Sequence, residues 1–271
     1  MSDIVLSAGV RSNLLQLQQT SDLITQTQNR LATGKRVNSA LDNPINYFTA
    51  QNLSSRANDL NSLLDSMSTA INTIQAANNG ISAITKLVQS AQSIVTQAQQ
   101  TTDTTIRATL ASQFDSIRSQ IDQLAQDAGI NGVNLLNGNT LTVTMNESAT
   151  STVTVTGVTD LSNSALAINA STNNWAGATD LSAASTQLTA ALTTLRSQSQ
   201  ALSSNLQTVQ VRQDFTKAMI NTLQTGADNL TLADSNEEGA NLLALQTRQQ
   251  LSTTALSLAA QADQNVLRLF Q

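Results

Sequence analysis

Residues 7–44 read SAGVRSNLLQLQQTSDLITQTQNRLATGKRVNSALDNP, and this stretch decides the fold. Val10, Leu14, Leu17, Ile24 and Leu31 recur at four- and three-residue steps, with Ser21 and Gln28 at the intervening positions. Such a stripe belongs to a helix packed along its length against other helices. Gly34 fits the left-handed position that closes a helix. A polar connector, residues 35–42, then leads to Asn43-Pro44, a helix N-cap followed by the first-turn proline that restarts one. The carboxyl end carries the counterpart stripe Leu251, Ala255, Leu258, Ala262 and Leu269, with Asn265 in one of its positions. Each stripe is thin. Neither buries enough apolar surface to offset the entropy of ordering its own helix, so each end needs a partner.

Between the ends, helical periodicity dominates. A second helix is expected from Pro44 to about Gln100, roughly 80 Å long at 1.5 Å per residue, with Gly80 as a possible bend. The cluster at 101–105 reads as a turn. A third helix then carries Leu110, Phe114, Ile117, Ile121 and Leu124, stopping near Gly129. Asn131-Gly132 and Asn137-Gly138 mark turns. Leu141, Val143 and Met145, then Val153 and Val155, alternate with threonines and predict a small hairpin, its tip at 146–151 pointing away from the helices. Trp175, the only tryptophan, reads as a local anchor in a Ser/Thr/Asn-rich stretch. Helical spacing resumes from Leu188 to Leu230, interrupted at Gly226 and at 232–235. Ser235 with Glu238 reads as a capping box opening the last helix. The expected fold class is mainly α: a bundle of long antiparallel, coiled-coil-like helices with a small β-hairpin in the middle, in which the N- and C-terminal helices pair.

Composition narrows the function. Charged residues are 11% of the chain against a usual ~25%. With no His and no Cys, disulfides, thiolate or imidazole metal sites and His-based catalysis are excluded. Asp59, Asp65, Asp115, Asp122 and Asp214 lie singly along helices and read as solvated faces. No phosphate-cradling glycine loop appears. No catalytic residue, metal site or cofactor is expected, and the chain does not read as an enzyme. A net charge of −5 argues against a nucleic-acid partner. No apolar run reaches the ~20 residues of a membrane span, and no membrane partner is expected. Residues 1–12 show no cleavable signal, so any export takes another route. Lys35 and Arg36 suit either a helix C-terminus or a contact between subunits.

Arg30-Leu31-Ala32-Thr33-Gly34-Lys35-Arg36-Val37-Asn38-Ser39-Ala40-Leu41-Asp42-Asn43 resembles the amino-terminal signature of bacterial flagellins. The carboxyl end is similar to the family too, from Ala233-Asp234 through Gln249-Gln250-Leu251 and Ala259-Ala260-Gln261-Ala262 to Val266-Leu267-Arg268-Leu269-Phe270. Residues 126–136 resemble its turn after the third helix. The resemblance implies a short flagellin: a structural subunit, secreted unfolded, that polymerises into the extracellular filament for swimming motility. It implies an inner domain from residues 1–43 and 232–271, a bundle from 44–138 and 179–231, and a short 139–178 region in place of outer domains. Leu14, Leu17, Ile24, Leu31, Lys35, Arg36, Asn38, Asp42, Leu251, Leu258 and Leu269 are then the expected assembly residues. The implied partners are other copies of the chain, the flagellar export apparatus, a secretion chaperone on the C-terminal helices, and the filament cap and junction proteins. A hook–filament junction protein or a helical adaptor or chaperone are the alternatives. At 80–89, Arg-rich in many flagellins and recognised there by an innate immune receptor, Lys86 is the only cation, and that recognition is not carried over.

Overall fold

In the computed structural model, residues 8–158 and 161–269 are described, without the side chains of 263 and 266–269. The helices are α1 (Ala8–Thr33), α2 (Pro44–Gln100), α3 (Thr104–Asp127), α4 (Ala178–Thr231) and α5 (Ser235–Leu269). The antiparallel strands β1 (Thr140–Thr144) and β2 (Thr152–Thr156) stand between α3 and α4, followed by a 3-10 turn, Asn173–Trp175. The chain separates into two compact units, Met1–Ser55 with Thr222–Gln271, and Arg56–Asn221.

Local chemistry sets the boundaries. Gly34 takes φ +66, where a β-carbon is strained. Asn43 caps α2, its Oδ1 accepting from the Asn46 N–H at 3.0 Å. Asp103 caps α3, its side chain accepting from the N–H groups of Thr105 and Ile106. The break between α4 and α5 falls at 232–234, but α4 runs unbroken through Gly226 and α2 through Gly80. Gly80 marks a close approach. A β-carbon there would stand 2.7 Å from Leu136 Cδ1 and 2.8 Å from Ala128 Cβ. The capping box at the start of α5 also needs correction. Asp234, one residue earlier than expected, is the cap, its Oδ1 accepting from Asn236 N at 2.8 Å. Ser235 already lies in the helix.

The larger unit is built around the apolar faces of α2, α3 and α4, with Met67, Ile74, Ile84, Phe114, Ile121 and Leu188 fully buried. Trp175 joins this core, its ring 5.0 Å from that of Phe114, so it anchors the irregular stretch before α4. Asp115 and Asp122 are not solvated faces. Asp122 accepts from Asn163 N at 2.7 Å and Asn163 Nδ2 at 2.9 Å, while Asp115 accepts from the backbone and hydroxyl of Ser171. The physical reason is that residues 161–172 form neither helix nor strand. Their N–H groups need acceptors, and for Asn163 and Ser171 α3 supplies them.

The hairpin forms in the expected phase, Leu141 opposite Val155 and Val143 opposite Val153, with Val143, Met145 and Val155 buried. Its tip is tied down rather than free, because Glu147 pairs with Arg56 of α2. The hydrogen bond from Arg56 holds the Glu147 carboxyl below the ordinary glutamate range. A depressed carboxyl stabilises the fold fully above its unfolded pKa and loses that contribution as pH falls through the folded one. Amide protection of residues 145–151 is therefore expected to be constant near neutrality and to decline on acidification. Hydrogen exchange across a pH series, corrected for intrinsic rates, checks this. Arg56→Gln should flatten the dependence.

Candidate functional site

Among the described residues of the smaller unit, the distinctive feature is the pair of terminal helices, α1 against α5. The least exposed positions of α1 are Val10, Asn13, Leu17, Thr20, Ile24, Thr27 and Leu31, with Arg30 beside Leu31. Those of α5 are Glu238, Leu242, Leu245, Gln249, Ser252, Leu256 and Ala259, with Gly239 beside Glu238. Both series step by alternating threes and fours, the period of a coiled-coil seam. The seam is half polar. Thr20 can occupy it because its hydroxyl donates to the carbonyl of Gln16 at 2.8 Å, which leaves its methyl to pack.

Among the described residues, one charged pair sits in the seam. Arg30 Nη1, in the last turn of α1, lies 3.1 Å from Glu238 Oε1 in the first turn of α5, and the Glu238 side chain is only 8% exposed. Each charge faces the favourable end of its own helix dipole. Removing Arg30 would strand the Glu238 carboxylate, which is strongly destabilising for a buried charge.

The connectors beside the pair are clasped together. Arg36 N donates to Thr231 O at 2.7 Å and Ala233 N to Gly34 O at 3.0 Å, bringing Lys35 opposite Leu232 in a single antiparallel bridge. The connector holds its own shape. Asp42 Oδ2 accepts from the N–H groups of Asn38 and Ser39 at 3.0 Å each and from the Ser39 hydroxyl, and Asn38 Nδ2 donates to Lys35 O at 2.9 Å. The backbone N–H groups of Ser39 and then Asn38 hold the Asp42 carboxyl below its ordinary value.

The expected assembly residues therefore fall in three places. Leu17, Ile24 and Leu31 line the α1 seam. Asn38 and Asp42 shape the connector, from which the side chains of Lys35 and Arg36 project into solvent. Leu14, Leu251 and Leu258 face outward, Leu251 67% and Leu258 62% exposed. Leu269 lies outside the described side chains. The stripe legible at the carboxyl end is thus the outer one, while the seam uses a second series led by Glu238, Leu242 and Leu245. Leu15, Leu23 and Leu243 join the outward set. For Leu23 and Leu243 the signal was in the sequence: each stands next to a seam residue, Ile24 and Leu242, and adjacent helix positions cannot share one face.

The pair thus buries polar groups in its seam and leaves leucines exposed. The model of the bacterial flagellin N-terminal helical region matches residues 8–140. Flagellin FljM of Caulobacter vibrioides is 32% identical over 273 residues, covering all of this chain and 99% of that protein. The chain belongs to the bacterial flagellin family. A flagellin of Brucella melitensis is 26% identical along the full length of both. Among solved structures, the crystal structure of Bacillus cereus flagellin is similar with a TM-score of 0.40 and 16% identity, covering 64% of this chain and 93% of that one. Flagellins are structural subunits rather than enzymes, and this flagellin is a subunit of the filament that serves bacterial swimming.

Proposed function

We propose that this flagellin enters the filament through the outward leucines of its terminal helix pair, with residues 1–43 and 232–271 as the filament core. Residues 44–138 and 179–231 form the surrounding bundle, and 139–178 is the short middle region in place of outer domains. The observation that carries this reading is the division of the leucines on α1 and α5. The seam between them accepts Thr, Ser, Gln and an ion pair, while Leu14, Leu15, Leu23, Leu243, Leu251 and Leu258 stand exposed. Exposed apolar patches of this kind mark interaction sites. Neighbouring copies of the same chain provide the cover.

The same surface supports the finer partners. A chain with thin terminal seams unfolds readily enough to pass the flagellar export apparatus. The outward stripe of α5 suits a secretion chaperone before polymerisation, and the filament cap and junction proteins meet the same helices at the growing and basal ends. The assembled protein is extracellular. Electron microscopy of purified protein after salt-induced assembly tests the reading. Long uniform filaments are expected, whereas short capped oligomers would point to a junction protein instead.

A further inference from the structure

Outside the terminal pair, two more apolar clusters are exposed among the described residues, one in each unit. In the smaller unit, Leu41 of the connector stands 96% exposed, just ahead of Ile45 and Phe48 on the first turns of α2. The latter two are three residues apart and share a helix face. In the larger unit, Val211 and Phe215 are exposed four residues apart on one face of α4. An open filament grows by heterologous contacts, in which one surface of each subunit meets a different surface of the next. Two distinct apolar clusters on one chain fit that requirement, because neither has to match itself.

The charges beside the clusters are complementary. Asp42 follows Leu41 and uses Oδ2 for the loop, leaving Oδ1 free among the described residues. Arg212 follows Val211, is exposed, and makes no ion pair among the described residues, whereas its neighbours Asp214 and Lys217 already face each other at 3.7 Å.

Resting on the filament reading above, we infer that Leu41, Ile45 and Phe48 of one subunit seat on Val211 and Phe215 of the next, with Asp42 meeting Arg212 at the rim. The contact is additional to the terminal helices and links the smaller unit of one copy to the larger unit of another. Rim charges of this kind set orientation and approach more than affinity.

The chain has no cysteine, so introduced thiols are unambiguous. Ile45→Cys and Phe215→Cys proteins are mixed in equal amounts, co-assembled with unsubstituted subunits and treated with a short bis-maleimide. A crosslinked dimer containing one of each variant is expected in filaments and not in monomer. Dimers of either variant with itself, or intact filaments without the mixed dimer, would overturn the inference and leave the filament function standing. If the unsubstituted protein forms no filaments, both fall. In parallel, Phe215→Ser should raise the critical concentration for polymerisation at least tenfold with an unchanged thermal melt. An unchanged critical concentration would likewise overturn the inference.

Discussion

Leu258→Asp leaves the subunit folded and stops polymerisation. In the subunit the residue is 62% exposed on the outer face of α5, so the substitution there should change stability by no more than about 0.5 kcal/mol. Once a neighbouring copy covers that face, an unpaired carboxylate would be buried, and the penalty is several kcal/mol. Each ~1.4 kcal/mol is tenfold in an equilibrium constant, so the critical concentration should rise about 100-fold or more. Sedimentation measures the loss of polymer, and circular dichroism of the soluble protein should show the native helical signal. Filaments at the native concentration would mean that this face stays in solvent. Leu251→Asp, on the same face, should behave alike.

The largest expected effect on folding lies in the other unit. Gly157 follows β2 directly, and a β-carbon there would stand 2.0 Å from Asn139 O and 2.9 Å from Leu135 O. Both obstacles are backbone, and both are fixed. Val158 N donates to Leu135 O at 2.7 Å and Gly138 N to Val158 O at 2.8 Å. The Asn134 side chain pins the same turn by donating to the carbonyls of Ala125 and Gln126 at the end of α3. Gly157→Ala must therefore displace the end of β2 from the turn at 135–139, and overpacking of this severity costs about 3 kcal/mol or more. For a unit of this size that lowers the melting temperature by about 6–12 °C. Gly138→Ala is the matched control. Its φ of +78 is strained for alanine, but nothing lies within 4 Å, so the loss should be only about 1 kcal/mol. Equal losses for the two would place the hairpin elsewhere.

Local signals were legible because they act over a few residues. Gly34, the Asn43-Pro44 restart, the turn before α3 and the threonine alternation of the hairpin each depend only on neighbours in sequence. Choices between faces were not legible in the same way. On α1 the seam shares Val10, Leu17, Ile24 and Leu31 with the apolar stripe. Its other positions, however, are Asn13, Thr20 and Thr27 rather than Leu14, Ser21 and Gln28. A threonine whose hydroxyl bonds its own helix behaves as an apolar residue, and no periodicity of hydrophobic letters records that. On α5 two stripes of the same period run side by side, and the one richer in leucine turned out to face solvent. Asp115 and Asp122 read as surface charge because the groups they serve lie 41 to 56 residues away. The cap at Asp234 was missed by one residue, since Asp234 and Ser235 are both good caps and only geometry separates them.

The most direct test of the account is hydrogen exchange at residues 10–30 and 238–260, compared between monomer and filament. On the proposed reading, the half-polar seam with its one ion pair among the described residues leaves each terminal helix poorly protected alone, and neighbouring copies complete its burial. Fast exchange throughout both segments in the monomer is predicted, changing to strong protection on polymerisation while the core of the larger unit is slow in both. Slow exchange at 10–30 in the monomer, or no gain in the filament, would contradict the claim that the terminal pair is completed by assembly.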